Sequence, residues 1–166
     1  MKEATVIKDM IEAIGIRNMT EADRAGVYEM MSVFYASDAV HTNGSHEIFN
    51  NDINECLSNS PFLSGFVFVR EDESIGGYAM TARNFSAEYG MPCIWIEDIY
   101  LQDDMRGLGL ASRFLDFIKE KHPGYMHRLE AEDYNEHALE VYRHNGFETM
   151  PYVELFRLPG KGDACE

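Results

Sequence analysis

Two acids stand in the middle of an apolar run. Residues 93–101 read Cys-Ile-Trp-Ile-Glu-Asp-Ile-Tyr-Leu, with Glu97 and Asp98 at its centre. A short polar loop follows, then Arg106-Gly107-Leu108-Gly109-Leu110-Ala111. An amphipathic stretch runs on to Lys121 and stops at His122-Pro123-Gly124. This is a strand, a glycine-bearing loop and a helix. A helix N-terminus presents unpaired N–H groups and a partial positive charge, which suits an anion, most often a phosphate. The loop alone is also compatible with a plain strand-to-helix turn. It is not a Walker loop, since no Gly-Lys-Ser/Thr follows, and it lacks the chain position and ribose-binding acid of a dinucleotide fold. A second group of residues lies further on: Asn135, Ala138, Tyr142, Gly146 and Phe147, at spacings 3, 4, 4 and 1.

The elements that must position these residues follow from periodicity and punctuation. Val6, Ile7, Met10, Ile11 and Ile14 recur at helical spacing, which predicts an amphipathic helix over 4–14. A short strand is expected over 16–19. Thr20 then caps a helix to about Ser37, with Val27, Met30, Met31 and Phe34 inward. Ser45 caps a second helix whose apolar face is Ile48, Phe49, Ile53, Cys56 and Leu57. Strands over 65–70 and 75–83 form a hairpin about an acidic turn. After the central strand and its helix, a strand is expected over 128–132, a helix from Asn135 to His144, and a last strand over 152–158. The fold class is therefore α/β (α+β). A mixed, mostly antiparallel twisted sheet of six to seven strands carries helices on both faces. The organisation expected is an extension over 1–14, one domain over 15–158 and a flexible tail over 159–166.

Composition narrows the function classes. The chain has 166 residues, 45% of them hydrophobic and 12% aromatic, which fits a packed globular protein. Its formal charge is −15. That argues against non-specific nucleic-acid binding, which needs a basic surface. It fits either a well-solvated surface or an acidic cleft that attracts cations. The three cysteines, Cys56, Cys93 and Cys165, show no paired spacing, so neither a disulfide framework nor a zinc site is expected. The six histidines form no HxH or HxxxH set, and no metal is placed. No signal peptide or membrane span is read, so the expected location is cytoplasmic.

The two residue groups together resemble the GNAT superfamily of N-acetyltransferases. That family's loop pattern, Arg/Gln-x-x-Gly-x-Gly/Ala, is met by Arg106, Gly109 and Ala111. Its later pattern, Asn-x-x-Ala-x-x-x-Tyr-x-x-x-Gly-Phe, is met by Asn135, Ala138, Tyr142, Gly146 and Phe147. The opening 16–23 and the element order from about 15 to 158 are also similar. The resemblance implies transfer of an acetyl group from acetyl-CoA to a primary amine in a ternary complex, without a metal. It implies cosubstrate contacts from Arg106, Gly107, Leu108, Gly109, Leu110, Ala111 and Asn135. The pantetheine arm would lie along the central strand, splayed from its neighbour by a bulge, where N–H groups of Ile99, Tyr100 and Leu101 meet the thioester carbonyl.

It further implies Glu97 as the base that frees the amine lone pair, and Tyr142 as the acid that protonates the leaving thiolate. Asp98 would face away from Glu97 in a regular strand. The run 97–101 is similar to the Glu-Asp-Leu-Tyr-Val of the polyamine (diamine) branch, which points to a small cationic acceptor. A protein, peptide or aminoglycoside amine, or a non-catalytic acyl-CoA-binding domain, are the alternatives. The family's pairing through the C-terminal sheet edge, with the amphipathic run over 4–14, suggests a homodimer.

Overall fold

The computed structural model describes residues 13–40 and 44–158. The helix expected over 4–14 lies largely outside the described residues, and the tail over 159–166 lies wholly outside them. The element order is β1 (Gly15–Asn18), α1 (Arg24–Phe34), α2 (His46–Leu57), β2 (Leu63–Val69), β3 (Ile75–Ser86), β4 (Met91–Leu101), α3 (Leu110–Lys121), β5 (Met126–Leu129) and α4 (Glu136–His144). The strands form one sheet in the order β1-β2-β3-β4-β5. The first three pairings are antiparallel, and β4 with β5 is parallel. The parallel pair needs the α3 crossover, because no short turn can join parallel strands. Among the described residues no helix is long and apolar enough to cross a membrane.

Helices cover both faces. One cluster packs Leu110, Phe114, Leu115 and Ile118 of α3 on Phe66, Phe68, Ala79, Ile94 and Ile96. These α3 positions recur at helical spacing, so the helix needs only one apolar stripe. Phe114 is fully buried and touches Phe66 and Phe68 at ring distances of 5.5 and 5.9 Å. Truncating it to alanine would cost about 3–5 kcal/mol. The other cluster packs Val27, Met30 and Met31 of α1 and Phe49 and Ile53 of α2 on Val67, Tyr78, Met80 and Tyr100. The methionines expected on the inner face of α1 are core. Ile48, expected on the inner face of α2, is exposed.

Local chemistry fixes the ends. Ser45 Oγ accepts the Ile48 N–H at 3.1 Å and caps α2 as expected. Asp23 receives two bonds from Arg17 and two from Thr20, tying β1 to the start of α1. At the β2–β3 turn, Asp72 accepts from the Ser74 N–H at 3.0 Å. Arg70, just after β2, reaches across to Gln102 at 2.8 Å and Asp104 at 2.9 Å, which anchors the chain leaving β4.

The strand expected over 152–158 is absent, so among the described residues the sheet has five strands rather than six or seven. The segment has the apolar content of a strand, but Val153 and Leu155 are 85% and 88% exposed. β5 ends after four residues at Leu129, and no ladder joins it to the segment. Strand-forming side chains without a partner edge do not make a strand.

Candidate active site

The site begins at an irregularity in β4. The β3–β4 ladder pairs Met80 with Asp98 and Thr81 with Ile96, so Glu97 is an extra residue, a β-bulge. The packing records its effect. Ile94 and Ile96 pack into the α3 cluster ahead of the bulge, whereas Ile99 and Leu101 do so after it. Tyr100 meanwhile joins the α1–α2 cluster. The alternation has changed phase. Glu97 and Asp98 therefore share the α1–α2 face instead of pointing oppositely, as a regular strand would have them.

The bulge also opens the sheet. β4 and β5 pair from Cys93–Met126 to Ile96–Leu129 and no further. From Glu97 to Leu101 the edge of β4 turned away from β3 has no strand beside it. A cleft of about 2800 Å³ passes this opening, lined by Glu97, Ile99, Leu101, Gly107, Gly109 and Tyr142 among others. That exceeds what one small ligand fills and has room for two.

One end of the cleft is the loop before α3. Gly107 and Gly109 have φ of +71° and +73°, where an L side chain is strained. A Cβ on either would meet nothing within 4 Å, so open space lies before the loop. Gly109 is the N-cap of α3 and supplies no side-chain cap. The first N–H groups of α3 thus face the cleft with no intrahelical acceptor. This cradle fits a diphosphate. Arg106 does not aim into it. Its Nε donates to the Leu101 carbonyl at 2.9 Å, Nη1 pairs with Asp103 at 2.9 Å, and the guanidinium lies over Tyr100. The side chain anchors the loop, and the backbone supplies the donors.

The second wall is α4. Asn135 Oδ1 accepts the Ala138 N–H at 3.2 Å, so it caps this helix. Gly146 has φ +83° and ends it. The Phe147 N–H returns to the Tyr142 carbonyl at 3.0 Å, and the Phe147 ring meets Tyr142 edge-on at 6.0 Å. Tyr142 is half-buried and lines the cleft. Burial raises its phenol above the usual range, so it stays protonated at neutral pH.

The other end of the cleft is acidic. Asp98 accepts the Tyr78 hydroxyl at 3.0 Å and lies 3.4 Å from that of Tyr35. Burial pushes its carboxyl up to about 6, against the lowering effect of these hydroxyls. Glu97 is open to the cleft, but the walls withdraw bulk water from it. That, with the charges of Asp98, Asp52 and Glu154, pushes it up to about 6. Glu130 is pushed up to about 7 by loss of water and by Glu154, with Arg128 opposing. Cys56 senses the same field: burial first, then Asp52 and Asp98, push its thiol up to about 12.

The sequence reading singled out Glu97, Tyr142, 99–101, 106–111 and Asn135, and the cleft brings them together except Leu108, which packs against the α3 cluster. It missed Tyr35, Asp52, Tyr78, Glu130 and Glu154. Asp52 carried a signal, since it lies on the apolar stripe of α2 between Phe49 and Cys56. Among the described residues no three His, Cys, Asp or Glu side chains are grouped as metal ligands.

The chain matches the acetyltransferase (GNAT) family model over residues 26–147, well over half its length. No protein of curated function matches it. Solved structures share the fold at low identity. A possible acetyltransferase from Clostridium difficile 630 superposes with TM-score 0.75 at 15% identity, over 89% of this chain and 99% of that one. AAC(6′)-Iy in complex with the bisubstrate analogue CoA-S-monomethyl-acetylneamine gives 0.72 at 17%, over 89% and 99%. Ribosomal-protein-alanine N-acetyltransferase from Brucella melitensis biovar Abortus 2308 gives 0.68 at 17%, over 88% and 100%. With its family model and fold in agreement, the chain belongs to the GNAT family and is an acetyl-CoA-dependent N-acetyltransferase.

Proposed function

We propose that the acceptor is the primary amine of a small, strongly cationic molecule, and that a diamine is the best fit. The observation that carries this is the carboxylate set at the acceptor end. Glu97, Asp98, Asp52, Glu130 and Glu154 come from four segments of the chain; beyond the effect of burial, the charges of Asp98, Asp52 and Glu154 raise the proton affinity of Glu97, that of Asp52 raises Asp98, and those of Glu154 and Glu97 raise Glu130. A cationic acceptor relieves that repulsion and is drawn in by it. The similarity of 97–101 to the diamine branch supports the same reading. Structures named for an aminoglycoside enzyme and a ribosomal-protein enzyme share the fold, so the fold does not choose the acceptor.

Acetyl-CoA, when bound, supplies an activated acetyl thioester. The N–H groups of 107–111 hold its diphosphate, and the open edge of β4 at Ile99, Tyr100 and Leu101 offers donors to a carbonyl oxygen. An alkylammonium has a pKa near 10 and no lone pair at neutral pH. Glu97 takes its proton, freeing the nitrogen to bond the acetyl carbon as the carbon–sulfur bond breaks. A carboxyl titrating near 6 is ionised at pH 7 and more basic than an ordinary glutamate. Tyr142, protonated and facing the cleft, gives its hydroxyl proton to the departing sulfur; the second proton leaving the nitrogen restores the phenol, and Glu97 gives up the first to solvent.

The test is thiol release from acetyl-CoA across a panel of diamines, monoamines, an aminoglycoside and peptides with free N-termini. Diamines should give the highest kcat/KM, with rates that fall as salt rises. Preference for a peptide or a neutral-bodied amine would overturn the acceptor assignment.

A further inference from the structure

We infer that Asp98 is a positioning residue for proton transfer at Glu97: the bulge sets both carboxylates on one face of β4, and Tyr78 and Tyr35 hold Asp98 as a charge behind the base. This rests on the reading of Glu97 as the base.

Asp98 is only 5% exposed. A carboxylate so buried normally has a cation beside it. Asp98 takes its hydrogen bonds from two tyrosine hydroxyls, which are neutral. Tyr78 is itself fully buried, on the paired strand β3. Burial and then the Asp98 charge push both phenols well above the usual range, so both remain donors. The hydroxyls hold Asp98 in place without neutralising it. Its field also falls on the adjacent Glu97, whose proton affinity it raises. Had β4 been regular, the sheet would have stood between the two. The bulge turns a neighbour in sequence into a neighbour in space.

Other groups act on the pair. Asp52 from α2 raises the proton affinity of both carboxyls. Glu154 from the C-terminal segment raises Glu97. Glu130, beyond β5, and Tyr35, beyond α1, each feel the Glu97 charge. Asp98 differs from the other acids in being buried and held by hydroxyls from two separate elements. Its charge makes Glu97 a stronger base than a lone glutamate in the cleft.

Asp98→Asn tests this, because it keeps the shape and an acceptor for Tyr78 while removing the charge. The acid limb of the kcat/KM profile should move to lower pH by roughly half a unit or more. The plateau should fall severalfold while the KM for acetyl-CoA holds. If activity drops equally at every pH and the limb stays in place, Asp98 is structural and the inference fails. Glu97→Gln separates this from failure of the underlying reading. If its profile matches wild type, Glu97 is not the base. If its acid limb is lost while that of Asp98→Asn is unmoved, only the inference falls. Should Asp98→Asn not fold, the wild-type carboxyl carbons can be followed by NMR. Glu97 and Asp98 should each titrate in two steps that report the other. Two independent single-step curves would overturn the inference.

Discussion

Asn145 Nδ2 donates to Ser112 Oγ at 2.8 Å, joining the end of the helix that carries Tyr142 to the first turn of the helix behind the diphosphate cradle. The same amide also donates to the Val141 carbonyl at 2.8 Å. This side chain thus links the two helices that wall the cleft, beside the packing of Tyr142 and Phe147 on the α3 cluster. Asn145→Ala removes both bonds and leaves the Ser112 hydroxyl without this donor. It should lower stability by roughly 1–2 kcal/mol, read as a shift in the urea midpoint with the m-value unchanged. It should also raise the KM for acetyl-CoA, because Tyr142 and the cradle no longer hold a fixed spacing.

Tyr142→Phe isolates the proposed acid. The ring keeps its edge contact with Phe147 and its place in the core, so the fold should not change. Only the hydroxyl is lost. Turnover should fall roughly a hundredfold, within the range for a positioned acid, with little change in acetyl-CoA affinity by calorimetry. Unchanged turnover would remove Tyr142 from that role.

Two glycines should respond to alanine for different reasons. At Gly109 the added Cβ meets nothing, so the cost is the left-handed backbone alone, about 1–2 kcal/mol. Gly109→Ala should fold, with weaker acetyl-CoA binding as the cradle shifts. At Gly77 a Cβ would stand 2.6 Å from the Tyr100 carbonyl oxygen, across the β3–β4 ladder beside the site. Gly77→Ala must part the two strands. Soluble expression and thermal midpoint should separate the pair, with Gly77→Ala the more damaged.

How much of this was legible in the chain depends on how far apart the interacting residues lie. The strand, glycine loop and helix around 106–111 were legible because they are contiguous. The α4 pattern was legible because a glycine four residues after Tyr142 ends the helix in the left-handed conformation and brings the Phe147 N–H back to the Tyr142 carbonyl. The Asp98–Tyr78 bond was not, since it joins two strands whose register no local pattern sets. A bulge in the central strand was expected from the family resemblance alone, and its place at Glu97 was hidden for a related reason. Apolar residues flank both acids, so one extra residue leaves no visible break in the alternation. The segment over 152–158 failed in the opposite direction. Its alternation reads as a strand, but a strand also needs an edge to pair with, and β5 stops short.

The pH dependence of stability should have a maximum below neutrality. Glu97, Asp98 and Glu130 all have carboxyls raised in the folded protein, to about 6, 6 and 7. An acid that holds its proton more tightly when folded stabilises the fold at low pH, and this is lost as pH rises through the folded value. Stability should therefore increase as pH falls from about 8 to about 5. Asp23 has the reverse sign. The Arg17 guanidinium, with Thr20, holds its carboxyl down at about 2. Its contribution is present above the ordinary aspartate value and is lost as pH falls from there through about 2. Urea midpoints taken across this range should trace a rise and then a fall. In Asp23→Asn the acid-side fall should be shallower, because position 23 no longer carries a carboxylate to protonate beside Arg17. In Glu130→Gln the neutral-side slope should flatten. A wild-type curve flat from pH 5 to 8 would mean that burial and the neighbouring charges do not raise the carboxyls at the acidic end of the cleft.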